Sequence, residues 1–273
     1  MIVEALGYGF FQNALIAGML VSIASGIIGS LIVVNRMVFL AGGIAHTSYG
    51  GIGLAIYFGI PVFFGATLFS LAASILMAYI TINNREKLDI YIGLVWSVGM
   101  AIGILFIDMT PGYNVDLMSY LFGSILAVSQ EDIYYMSALL AIIVLCVIFF
   151  YKDLLAVSYD SEYAALRGVN VKFFYTFILM LSALSIVMAI KLVGLILVIA
   201  LLTIPIYLAI KLSSSLAMMM FLSSLFSILF TFVGLFFSYK FDLTAGATII
   251  MVGACVLIMF LIYEKISTHY LNR

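Results

Sequence analysis

His46 and His269 are the chain's two histidines. A neutral imidazole nitrogen is a good donor to divalent metals at physiological pH. His269 stands in a polar C-terminal tail. His46 lies inside an apolar run, ten residues past Arg36, which is about 15 Å along a helix and close to the middle of a bilayer. Gly43, Gly50 and Gly53 fall on its helical face, with Gly42 and Gly51 beside them. Glycines on one face either let a second helix approach closely or leave room for a small solute. Two readings follow. In one, His46 faces a translocation path and offers a nitrogen to a metal; in the other, it hydrogen-bonds a neighbouring helix in a tight glycine seam.

The carboxylates are placed at turns. Asp108 and Asp116 flank Pro111-Gly112, and Asp116 opens the run Asp116-Leu117-Met118-Ser119-Tyr120-Leu121-Phe122-Gly123. A carboxylate there can attract a cation at a mouth, or cap a helix. Glu131 and Asp132 are expected to cap one span, and Asp89 another. Cys146 and Cys255 sit in long apolar runs without C-x-x-C spacing and read as packing residues. There is no H-E-x-x-H, no G-x-S-x-G and no P-loop. Tyr159-Asp160 lacks the G-x-G-D partner of an intramembrane aspartyl protease. These absences argue against an enzyme and against ATP hydrolysis by the P-loop route.

The elements that hold these residues follow from composition. The chain has 273 residues, 66% hydrophobic and 8% charged, against about 25% charged in a soluble domain. Its mean hydropathy is +1.32, so lipid is its solvent. A formal charge of −1 gives no basic footprint for nucleic acid. A crossing helix needs roughly 20 apolar residues. This predicts an all-α polytopic bundle of about nine spans (eight to ten): 10–34, 37–58, 62–82, 90–108, 132–151, 172–190, 193–211, 216–238 and 244–264. Pro205 should kink or split the seventh. Arg36, Arg85, Lys87, Lys152, Arg167, Lys172, Lys211, Lys265 and Arg273 all fall on the cytoplasmic side if the N-terminus is outside and the C-terminus inside. Lys191 and Lys240 are then outside. That pattern leaves residues 114–130 no net crossing, so they are expected to be re-entrant or interfacial, or else a short true span. The chain has no internal repeat and reads as a single transmembrane domain, 1–273.

The stretch Tyr159 to Gly168 has a helix grammar. Asp160 or Ser161 can cap the start, and Gly168 can end it in the left-handed conformation. A short cytoplasmic helix near 159–169 is expected, as a docking element or a solvated loop.

Six stretches in order resemble the permease subunits of ATP-binding-cassette importers for zinc, manganese or iron(II). They are Gly29 to Met37 leading into Phe39 to Gly51; Ile92-Gly93-Leu94-Val95-Trp96-Ser97; Asp116 to Gly123; Tyr159 to Ala164 with Gly168-Val169; Lys191 to Gly194 with Ala200 to Pro205; and Leu235 to Ser238 through Gly246-Ala247-Thr248. The resemblance implies a homodimer in the cytoplasmic (inner) membrane of a prokaryote, surrounded by lipid. It implies two cytoplasmic ATPase subunits and a metal-carrying solute-binding protein outside. It also implies a transported divalent metal, zinc or manganese with iron(II) a third option, and no permanently bound cofactor. His46 matches the family's metal-path histidine, with Gly43, Gly50 and Gly53 beside the path and Asp116 a second candidate donor. Asp160, Glu162, Ala165 and Gly168 fall in the loop that docks on the ATPase. The family often has Asp four residues before the histidine, where this chain has Gly42. Ser48, Tyr49 and Ser119 are further candidates to complete a site. The alternatives are a permease for a metal chelate or another small solute, and a stand-alone secondary carrier.

Overall fold

A computed structural model describes residues 9–82, 87–111, 121–123 and 128–271. Asp116, Ser119 and most of the expected re-entrant segment lie outside them. The described residues form eleven helices and no strands. These are α1 (Gly9–Val34), α2 (Val38–Phe58), α3 (Val62–Thr81), α4 (Leu88–Asp108), α5 (Gln130–Phe149), α6 (Tyr151–Tyr159), α7 (Ser161–Leu166), α8 (Val171–Leu201), α9 (Ile204–Leu212), α10 (Leu216–Phe241) and α11 (Ala245–Leu271).

Seven of the described helices are long and apolar enough to cross a membrane: α1, α3, α4, α5, α8, α10 and α11. α2 has the length, 21 residues, but its glycines, His46, Thr47 and Ser48 dilute its hydropathy. The seventh expected crossing, 193–211, is interrupted, as Pro205 suggested. α8 breaks at Gly194 (φ 80°, ψ 170°), and a turn at Leu202–Thr203 separates the piece 195–201 from α9, whose first turn holds Pro205. Pro is tolerated there because the first N–H groups of a helix have no intrahelical acceptor.

Polar pairs sort the helix ends into two levels. At one level the Lys191 ammonium pairs with Asp132 (3.2 Å), Asn13 Nδ2 donates to the Val128 carbonyl (3.2 Å), and Phe11 packs on Tyr239. At the other, Asn35 Nδ2 donates to Ser158 Oγ (2.8 Å), the Thr81 and Tyr175 hydroxyls share a hydrogen bond (2.9 Å), and Lys211 pairs with Glu264 (2.6 Å). The second level carries Arg36, Lys152, Arg167, Lys172 and Lys211 of the basic set.

α8 is buried on nearly all sides and forms the centre, the place for a helix that is apolar all round. α4, α5 and α11 are mostly exposed and form the rim. Two tight seams flank α8. In the first, α2 packs on α4 and α3. A Cβ at Gly43 would meet Ile92 and Met77, one at Gly50 would lie 2.8 Å from the Gly99 carbonyl, and one at Gly53 would overlap the Gly103 carbonyl. In the second, α1 packs on α10 through Ser22–Thr231 (3.0 Å) and Ser30–Ser223 (3.1 Å). Small residues and short hydroxyls are what lipid-embedded helices use to approach one another.

Two caps differ from expectation. Ser129, not Glu131 or Asp132, is the N-cap of α5: its Oγ accepts from the Asp132 N–H (3.1 Å), while the Asp132 carboxylate accepts from the Ser129 N–H (3.0 Å). Serine caps because its short side chain reaches the free N–H groups, and the acid three residues on closes the box. Asp89 lies in the first turn of α4; the cap position is Lys87, with no side-chain bond. A carboxylate there interacts with the positive end of the helix dipole.

Candidate metal-path site

His46 sits midway along α2, on the α4 side. Its ring stacks on Trp96 of α4, with centroids 3.8 Å apart and planes 9° apart. Trp96 is held in turn by its Nε1–H, which donates to Met100 Sδ (3.0 Å). The glycine seam holds α2 and α4 at close range, and His46 and Trp96 stack across it. The His46 Nδ1 is buried and has no hydrogen-bond partner among the described residues. A buried nitrogen without a partner costs about 1–3 kcal/mol, so it calls for an explanation. A transient ligand is one.

The remaining polar groups on α2 are used locally. Thr47 Oγ1 lies within reach of the Gly43 (2.7 Å) and Val95 (3.2 Å) carbonyls. The Ser48 hydroxyl donates to the Ala45 carbonyl (2.5 Å) and is fully buried. The Tyr49 ring is buried against Gly103. A Cβ at Gly42 would point at Ile199, in the short piece after the α8 break. Gly42 therefore lies on the α8 side of the site, one turn before His46 and only about 40° from it around α2. Gly43, Gly50 and Gly53 take the close approach rather than leaving open space. Asp116 is not among the described residues. No group of three or more His, Cys, Asp or Glu that could hold a metal occurs among the described residues. The site offers one imidazole per chain.

The stretch near 159–169 folds as its grammar implies. Asp160 Oδ1 accepts from the Tyr163 N–H (2.8 Å) and caps α7. Gly168 follows the helix at φ +81°. Ala164 is fully buried and anchors it, while Asp160, Glu162, Ala165 and Gly168 are exposed. Leu166 is 88% exposed, with Tyr159 and Tyr163 beside it. An apolar cluster on a short helix at the basic end of the bundle suits a partner surface. A cavity of about 740 Å³ between α1, α5 and α10 is lined by Ile23, Val147, Phe221 and similar residues and does not include His46; its apolar wall suits hydrocarbon, not a cation.

Sequence reasoning missed two contacts here: the stacking of Trp96 on His46, and the bond from Asn35 to Ser158. A signal for the first was available. Trp96 is the chain's one tryptophan, and it stands inside a span, whereas membrane tryptophans favour the interfaces.

The model of the ABC 3 transport family matches residues 7–264. The chain is 44% identical to an uncharacterized membrane protein of Synechocystis sp., over 96% of this chain and 94% of that one. It is 37% identical to the manganese transport system membrane protein MntC of Listeria monocytogenes, over 94% and 92%. Among solved structures it is similar to PsaBC from Streptococcus pneumoniae in complex with Fab, with TM-score 0.85 and 35% identity, over 95% of each chain.

Proposed function

The chain belongs to the ABC 3 transport family, as a membrane permease subunit and not an enzyme; on that premise we propose that it imports a divalent metal ion across a prokaryotic cytoplasmic membrane. The observation that carries the reading is the His46 Nδ1, buried beside Trp96 in the middle of α2 and left without a hydrogen-bond partner among the described residues. A conducting site must bind its ion well enough to admit it and weakly enough to let it go. One imidazole per chain meets that requirement. Two copies assembled as a homodimer supply two, with water or Asp116 completing the shell. Selectivity then rests chiefly on an extracytoplasmic solute-binding protein that delivers the ion.

Manganese is the first candidate, since relatives of similar length are named for it. Zinc is the second reading, favoured by one specific observation. Gly42 leaves the site without the hard carboxylate that manganese prefers, and an imidazole alone suits zinc.

A separate ATPase on the cytoplasmic side drives the cycle. It docks on α7 through the surface around Asp160, Glu162, Ala165 and Gly168, and the N-terminus faces outward. All 273 residues act as one transmembrane unit. The test is reconstitution in proteoliposomes with and without the ATPase, following radioactive manganese, zinc and iron(II). We expect ATP-dependent uptake that drops at least about tenfold in His46→Ala, as for loss of one ligand that stabilises the ion by more than 1.4 kcal/mol. Recovery of the assembled complex should be unchanged. Full uptake in His46→Ala removes the role of His46, and uptake without the ATPase favours a stand-alone carrier.

A further inference from the structure

The two helix seams divide the bundle into two units with α8 between them. One unit is α2, α3 and α4, closed by the glycine contacts. The other is α1 and α10, closed by Ser22–Thr231 and Ser30–Ser223, with α11 packed on α10. α1 and α2 are consecutive in sequence yet belong to different units. Among the described residues they touch little beyond their shared corner.

That corner is short and under backbone strain. Arg36 adopts φ 57°, in the left-handed region. The Arg36 N–H bonds the Val33 carbonyl (3.1 Å), and the Met37 N–H bonds the Ile32 carbonyl (2.8 Å). This is the helix-ending pattern that ordinarily uses glycine, and a residue with a Cβ costs roughly 1–2 kcal/mol there. Asn35 is the last residue before it. Its side-chain amide donates to the Leu31 carbonyl (2.8 Å) and to Ser158 Oγ (2.8 Å). Ser158 is in α6, and Asp160, two residues on, caps the exposed α7.

We infer that the Asn35–Arg36 corner is the hinge between the two units, and that the Asn35–Ser158 hydrogen bond makes Asn35 and Ser158 positioning residues that tie this hinge to the α6–α7 element. The inference rests on the proposed reading of α7 as the ATPase-docking helix. Movement of α7 pulls on Ser158, Ser158 on Asn35, and Asn35 on the start of α2. The glycine seam makes α2, α3 and α4 turn as one body, and His46 with Trp96 turns with them.

Two measurements test it. In the reconstituted complex with its ATPase, metal carried per ATP hydrolysed should fall about three- to tenfold in Asn35→Ala and in Ser158→Ala, the weight of one side-chain hydrogen bond. The double variant should lose no more, and ATPase binding should persist. The exchange Asn35→Ser with Ser158→Asn should recover part of the ratio. Tyr175→Phe, which removes the Thr81 bond at the same level, should leave it unchanged. Additive losses in the double variant, or an equal loss in Tyr175→Phe, overturn the inference. Normal coupling in Asn35→Ala beside a transporting wild type does the same without touching the functional reading.

The second measurement needs no transport. With Cys146 and Cys255 changed to Ser, spin labels at Leu94→Cys on α4 and Phe221→Cys on α10 report the distance between units in nanodiscs. Both positions are exposed. The distribution should broaden in Asn35→Ala relative to its parent. An unchanged distribution overturns the hinge even if no metal is carried.

Discussion

His46 lays one ring face on Trp96 and keeps Nδ1 enclosed and unpaired. Such aromatic stacking contributes about 0.5–1.5 kcal/mol, enough to hold the ring in one orientation while the nitrogen stays available. Trp96 also makes the site observable, because it is the chain's one tryptophan. Titrating manganese or zinc into the permease alone in nanodiscs should change Trp96 emission in the wild type and leave it flat in His46→Ala. Flat wild-type emission at saturating metal would sink the assignment of this ring to the ion path. Ser48 and Tyr49, both reasonable donors by type, are taken up otherwise: Ser48 bonds the Ala45 carbonyl of its own helix and Tyr49 packs against Gly103.

α7 shows how far local grammar reaches. Its cap, its Ala-Ala-Leu body and its glycine terminator are short-range features, so the six-residue helix was legible in the sequence. Its exposure was not, because nothing local says which face Ala164 buries. With Ala164 inward, Ala165 and Leu166 point out. Ala165→Arg therefore adds a bulky charge to the face proposed for docking without touching the core. We expect the permease to fold with an unchanged thermal midpoint and the co-purified ATPase to fall severalfold. Undiminished complex recovery would rule out this face. The interrupted span is the complementary case. Pro205 announced a break, but the left-handed residue that starts the interruption is Gly194, eleven residues earlier.

Across the whole molecule, Gly194 is where three segments meet. A Cβ there would overlap the Leu121 carbonyl and the backbone of Phe122 and Gly123, while one at Gly246 would lie 2.7 Å from the Val193 carbonyl and 2.9 Å from that of Phe122. The described part of the 121–123 segment is thus wedged between the α8 break and the start of α11. Gly194→Ala should destabilise the protein by more than about 3 kcal/mol. The φ/ψ region is essentially reserved for glycine, at about 1–3 kcal/mol, and the overlap adds to that. The readout is the thermal midpoint in detergent or nanodiscs, with Gly93→Ala as control, since a Cβ at Gly93 meets nothing within 4 Å. Equal midpoints for the two variants would mean this junction is loose.

The sequence by itself determined the solvent, the helix class and the place of the break near Pro205; against the nine expected runs, seven described helices are long and apolar enough to cross. These are properties of consecutive residues: a run must be about 20 apolar residues long to satisfy its backbone in lipid, and capping reaches only three or four residues. It also put His46 midway along its helix, because helix rise converts position into height. The tertiary structure decided which groups meet. His46 and Trp96 are fifty residues apart, and Asn35 and Ser158 are 123 apart. Such pairs depend on which faces the glycine and serine seams bring together, and one residue of helix rotation, about 100°, would separate them. Gly43, Gly50 and Gly53 mark that limit: their spacing announced a face, and only the packed helices showed that the face is filled by side chains and backbone of α3 and α4.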